Sequence, residues 1–133
     1  MNKKPDLIKE WLLFADNDYG YALLGLENNS YFGLAGASFQ QAAEKYLKAF
    51  ILTHDLEMKY IHNLLELLKI CESKDKNIMI LKDDCSFLNQ FYIQARYPAG
   101  IDSFSYDKDD VVKAKKCCEQ IQQWIKNSLS DFI

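Results

Sequence analysis

An all-α fold, an up-and-down bundle of four long helices and one short helix, follows from three properties of this 133-residue sequence. Apolar residues recur with a 3.6-residue period over long stretches. The strict alternation of a half-buried strand is sustained nowhere. Polar breaks and one internal proline cut the periodic stretches into separate rods. At 49% hydrophobic and 26% charged, residues 1–133 read as a single domain, able to bury a core without disulfides or metal.

Each element has its own grounds. Pro5-Asp6 marks a helix start, since Pro is tolerated where the backbone N–H has no partner and Asp suits the positive helix end. From there Leu7, Ile8, Trp11, Leu12, Ala15, Tyr19, Ala22, Leu23 and Leu26 form one apolar stripe. Glu27-Asn28-Asn29-Ser30 is a turn, and a second long helix runs from about Tyr31 to about His54. Gly33 and Gly36 in its first turns permit close approach by a neighbouring helix. The short helix spans His62 to Cys71, where Leu64, Leu65, Leu67 and Leu68 are too crowded to lie on one side, so burial all round is expected. A charged loop over 72–77 leads to a fourth helix carrying Ile78, Leu81, Cys85, Leu88, Phe91, Tyr92 and Ala95. It should stop near Arg96, because Pro98 disfavours helical geometry at Tyr97. Asp107 caps the last helix, whose inner side is Val111, Ala114, Cys118, Ile121, Ile125 and Leu129.

Composition excludes several function classes. A formal net charge of -3 argues against broad attraction to polyanions, although a local basic patch is compatible with it. Cys71, Cys85, Cys117 and Cys118 contain no Cys-x-x-Cys pair, and His54 and His62 are the only histidines, so no metal site and no cofactor is expected. Cys117-Cys118 reads as one buried and one partly exposed thiol. No apolar run approaches a membrane span and no apolar leader follows Met1, so a cytoplasmic, membrane-free protein is expected.

The second helix carries the most chemistry. In Ser38 to Phe50, the residues Gln41, Lys45 and Lys48 share one side, while Phe39, Ala43, Tyr46, Leu47 and Phe50 line the other. Lys45 and Lys48 then read as a solvated face in which Glu44 and Lys48 form an (i, i+4) pair, or as a basic surface for an anion. The aromatic residues, Tyr19, Tyr21, Tyr31, Phe32, Tyr46, Phe50, Tyr92 and Tyr97, are mostly at or beside core positions. Some of them can instead stack on a base or fill a subunit interface.

Three pieces stand in order: Gln40-Gln41-Ala42-Ala43-Glu44-Lys45 with Leu47-Lys48-Ala49, His62-Asn63-Leu64-Leu65-Glu66-Leu67-Leu68, and Arg96-Tyr97-Pro98. In this combination the chain resembles the HEPN domain family over nearly its whole length. The resemblance implies a small all-helical homodimer, often encoded beside a minimal nucleotidyltransferase in a two-component, toxin-antitoxin-like system, and linked to nucleotide binding or RNA cleavage. His54-Asp55-Leu56 spells a tripeptide common in relatives before the third helix, but the spacing from the Gln-Gln block assigns that position to His62, with Asn63 replacing Asp.

Ribonuclease members of the family carry an Arg and a His with four to six residues between them. Here those places hold Ile101, Asp102 and Ser103. Metal-independent cleavage needs a base for the 2′-hydroxyl and a charge for the developing phosphorane. Arg96 can supply the charge, and His62 or Asp102 is left as a displaced base, although an exposed aspartate is poorly matched to that work at neutral pH. The reading therefore leans away from an enzyme. It favours a binder of nucleotide or RNA phosphate, with Arg96, Lys45, Gln41, Lys48 and Tyr97 as the ligand-binding residues. Alternatives are a ribonuclease toxin and a helical adaptor acting only through protein contacts. Arg96 itself admits two roles, pairing with a carboxylate or free carbonyls at its helix end, or presenting its guanidinium fork to a phosphate.

Overall fold

The computed structural model describes residues 3–94 and 106–133. These form five α-helices and two short 3-10 turns with no strand among them. The helices are α1 (Lys4–Glu27), α2 (Phe32–Thr53), α3 (Leu64–Glu72), α4 (Lys82–Gln94) and α5 (Lys108–Leu129). The 3-10 turns are Lys76–Leu81 and Ser130–Phe132. The all-α bundle expected from periodicity is thus the observed architecture. None of the described helices is long and apolar enough to cross a membrane.

The four long helices alternate in direction. Contacts match early residues of α1 with late residues of α2, from Lys4 with Asp55 to Gly25 with Ala35, so the two are antiparallel. Tyr19 with Glu119 and Asp16 with Lys126 set α1 antiparallel to α5 in the same way. The short α3 lies across the chain's path between α2 and α4. Helix α2 sits at the centre and touches all four others.

Local chemistry fixes the ends. Pro5 and Asp6 both lie in the first turn of α1, as expected of a helix start, and Lys3 occupies its cap position. Asn63 caps α3 by accepting from the Leu65 and Glu66 backbone N–H groups at 2.9 and 3.3 Å. Asp107 and Asp110 form a reciprocal capping box on α5. In the α1–α2 turn, Asn29 and Tyr31 adopt left-handed backbone angles, with φ of 52° and 49°. For a tyrosine this is an unusual conformation.

Several expectations are corrected by packing. The fourth helix does not begin at Ile78: Asp75 caps a 3-10 turn that buries Ile78 and Leu81, and α4 proper starts at Lys82. The short helix begins at Leu64, two residues later than expected, and it is one-sided after all. Leu64, Leu67 and Leu68 are buried, Leu65 is half-buried, and Glu66 and Lys69 face solvent. Cys117 and Cys118 are both buried, as are Cys71 and Cys85. Burial pushes the Cys71 and Cys117 thiols up to about 12, which keeps them protonated packing groups. Tyr21 and Tyr31 are exposed rather than beside the core.

Two devices lock α1 and α4 onto α2. On the α1 side, Tyr46 of α2 donates its hydroxyl to Asp16, Gln122 of α5 donates to both, and Lys126 reaches Asp16 at 2.8 Å. Burial alone would raise the Asp16 carboxyl, but the bonds from Lys126, Tyr46 and Gln122 outweigh it and hold the group below its ordinary value. On the α4 side, Gly36 meets the face of Phe91: a Cβ there would lie 2.1 Å from Phe91 Cδ1 and 2.9 Å from Cγ. Phe91 is fully buried and packed against Phe87 and Tyr106, so its ring has nowhere to retreat.

Gly36→Ala should therefore destabilise the bundle by about 1–3 kcal/mol through overpacking, despite the gain in helix propensity. Urea unfolding of Gly36→Ala, and of Gly36→Ala with Phe91→Leu, would check this; the second substitution should recover part of the loss. A single variant as stable as the parent would mean that the α2–α4 contact is loose.

Candidate functional site

The helical spacing that put Gln41, Lys45 and Lys48 on one side of α2 also brings Gln40 and Glu44 to the edge of that stripe. The stripe is not a solvated face. Gln40, Glu44 and Lys48 are buried, with Glu44 and Lys48 only 4% and 7% exposed. Gln41 and Lys45 are half-buried. One flank looks towards α1, where the Lys45 ammonium pairs with Asp18. Lys45 also lines a cleft with Leu7, Glu10, Trp11 and Phe14 of α1.

The other flank looks towards the entry of α3, where the polar groups converge on His62. Glu44 holds Lys48 Nζ at 3.2 Å through one carboxylate oxygen and His62 Nδ1 at 2.9 Å through the other. The (i, i+4) pair expected from the sequence exists, but it is an interior ion pair with a histidine attached. Gln41 donates to the Gln40 side-chain oxygen at 2.7 Å, and Gln40 donates in turn to the His62 backbone carbonyl at 3.0 Å. His62 is therefore gripped by α2 at both its backbone and its ring.

Helix α4 grips the same turn from the opposite side. Asn89 accepts from the Leu64 backbone N–H at 2.7 Å and donates to the Asn63 side-chain oxygen at 2.9 Å. One helical turn on, Tyr92 stacks on the His62 ring, with centroids 4.7 Å apart and planes 15° from parallel. One face of the imidazole is thereby covered and Nδ1 is engaged, yet 48% of the side chain stays exposed. Asn63 performs the capping and leaves the ring of the preceding residue free of that task.

His54 occupies a different place. It follows the end of α2, packs between Phe50 and Phe132, and is held low by burial and by nearby Lys74 and Lys4. Arg96, Tyr97 and Asp102 lie outside the described residues. Of the residues singled out from sequence, the fold brings Gln41, Lys48 and His62 into one connected network and sends Lys45 towards α1. Gln40, Glu44 and Tyr92 stand in the sequence reading as motif, ion-pair and aromatic residues but not as ligand-binding ones, and Asn89 does not stand in it at all. The signal for Gln40 and Glu44 was there, a polar pair four apart in a helix otherwise rich in core residues. That for Asn89 and Tyr92 needs the α3–α4 packing.

No group of His, Cys, Asp or Glu among the described residues has metal-binding geometry. What the site can do is orient one imidazole edge beside an aromatic ring, above an internally neutralised ion pair. Removing one partner of a buried pair leaves a charge without compensation, which is strongly destabilising. Glu44→Ala should destabilise the protein by about 3 kcal/mol, and Glu44→Ala with Lys48→Met should recover much of that. Thermal and urea unfolding of the single and double variants would check it; a single-variant loss no larger than about 0.5 kcal/mol would match an exposed pair instead.

Comparison with known proteins agrees with this architecture. The HEPN domain family model matches residues 8–128. No match is found among curated proteins. The crystal structure of TT1696 from Thermus thermophilus is similar at a TM-score of 0.81 and 25% identity, covering 96% of this chain and 98% of that one. The crystal structure of ST0689, an archaeal HEPN homologue, is similar in fold at a TM-score of 0.75 and 24% identity, covering 92% and 97% of the two chains. With its helix order, its Gln-Gln-Ala-Ala-Glu-Lys stripe and a family match over almost its full length, the chain belongs to the HEPN domain family.

Proposed function

We propose that this protein binds a nucleotide or RNA phosphate at the α3 entry. We further propose that it works as a homodimer and as the partner of a minimal nucleotidyltransferase in a two-component system. The observation that carries the ligand reading is His62, a half-exposed imidazole pinned by two helices and stacked on Tyr92, which precedes Arg96 by four residues in the sequence. Arg96 supplies the anion contact, since a guanidinium fork suits phosphate oxygens. Tyr97, the next residue in the sequence, is the proposed aromatic contact. Gln41 is the α2 contributor at this end, whereas Lys45, expected from the sequence to join it, faces α1 on the other flank and is left out of the site. Gln41 gives one amide N–H to Gln40. Lys48 acts from within, holding Glu44 in place.

Family members are linked to nucleotide binding or RNA cleavage, which supports the same ligand class. A second reading, a metal-independent ribonuclease, gains from the carboxylate-oriented His62 as a displaced base. Asp102 is the other base candidate, and Arg96 would stabilise the phosphorane.

The dimer reading draws on α1, where Leu7, Phe14 and Tyr21 recur every seven residues and are all exposed, with Leu13 and Leu24 close by. An apolar strip of this kind on a soluble domain marks an interaction surface.

Two experiments test these readings. Titration of nucleotides and short RNAs should give saturable binding to wild type and at least tenfold weaker binding to Arg96→Ala, about 1.4 kcal/mol. Equal binding in both would remove Arg96 from the site, and absent binding in both would leave the adaptor reading. RNA that is cut in the same mixtures with and without divalent metal would move the assignment to the ribonuclease. By sedimentation, the wild type should run as a dimer and Phe14→Glu as a monomer; a monomeric wild type would end the homodimer reading.

A further inference from the structure

Glu44 determines which edge of His62 meets a ligand. Its carboxylate is buried and paired with the Lys48 ammonium, so it is ionised and can only accept hydrogen bonds. The 2.9 Å bond from His62 therefore carries its proton on Nδ1. A neutral imidazole with its proton on Nδ1 has a lone pair on Nε2 and no second donor. With one ring face against Tyr92 and Nδ1 occupied, the exposed half of His62 is the opposite face and the Nε2 edge.

That edge is an acceptor, and a phosphate oxygen offers it nothing to accept. A ribose hydroxyl does. We propose that His62 Nε2 accepts a hydrogen bond from the ribose 2′-hydroxyl of the bound nucleotide or RNA, making the site selective for ribonucleotides over their deoxy counterparts. Glu44 is the positioning residue that sets the tautomer. Gln40 holds the backbone, and Tyr92 holds the ring plane. The 2′-hydroxyl is the group that distinguishes RNA from DNA at a contact of this kind. A site whose buried partner fixes an acceptor in place loses affinity for an analogue without the matching donor. The inference rests on the ligand reading above and adds the sugar to it.

The test compares oligoadenylate with its 2′-deoxy counterpart, and ATP with dATP, on wild type, His62→Phe and Arg96→Ala. Wild type should favour the ribo form by about three- to tenfold, the range of one hydrogen bond. His62→Phe keeps a ring against Tyr92 but has no acceptor; it should bind both forms alike, at the wild-type affinity for the deoxy form. Arg96→Ala should weaken both forms and keep the ratio. Independently, nitrogen-correlated NMR of wild type at about pH 8.5, where free imidazole is neutral, should show the proton on Nδ1 and an unprotonated Nε2 that shifts on adding the ribo ligand only. A proton on Nε2, equal binding of both sugars to wild type, or selectivity persisting in His62→Phe would each overturn the sugar contact while leaving the phosphate reading intact. Failure of wild type to bind any of the four probes would overturn both.

Discussion

Helix α2 is enclosed on nearly every side, and this constraint governs the rest of the molecule. A helix in the middle of a bundle cannot leave polar side chains unpaired, because each would carry its desolvation penalty into the interior. The residues of its polar stripe are accordingly assigned partners: Gln40 to the His62 carbonyl, Gln41 to Gln40, Glu44 to both Lys48 and His62, Lys45 to Asp18. On the apolar side, Tyr46 satisfies its hydroxyl with Asp16 and Gln122. Among the described residues, no buried side-chain nitrogen or oxygen is left without a bond.

This pairing has a consequence for the surface. Two of the partners that α2 recruits, His62 and Asn63, belong to the segment just before α3, and Asn89 and Tyr92 of α4 recruit the same residues from the far side. A histidine just before α3 is thereby held at its backbone carbonyl, at Nδ1 and on one ring face. Orientation of this sort adds little to stability for a half-exposed ring. Its use is preorganisation, the condition under which a single contact can discriminate between ligands. On α1 the opposite holds: the inner face is locked by Asp16 and Tyr19, while Leu7, Phe14 and Tyr21 stay exposed.

Much of the fold was legible in the residue pattern because long amphipathic helices announce themselves over many turns. The α1 stripe, the α2 span, the Asp107 cap and the inner face of α5 required only periodicity and local chemistry. The start of the fourth helix differs from the expected one because the buried residues Ile78 and Leu81 are spaced three apart, which fits a 3-10 turn as well as an α-helix. The leucine-rich third helix looked evenly apolar, yet one residue of the run, Leu65, is only half-buried, since a nine-residue helix at the edge of a bundle meets neighbours on one side. Lys48 differs from expectation for a related reason: no local rule says that a lysine is buried, and its burial beside Glu44, which also holds His62, comes from tertiary packing.

The sequence alone determined that the chain is all helical, where its first, second and last long helices lie, and that Ile101, Asp102 and Ser103, with no histidine among them, follow Arg96. Those are properties of neighbours along a helix or of a motif's spacing. Tertiary structure decided that Glu44 stands between Lys48 and His62, that Tyr92 lies flat on the imidazole, and that Lys45 turns away to Asp18. Each of these joins residues from separate helices, and their meeting depends on the angles at which the rods pack, which periodicity along any one of them does not encode.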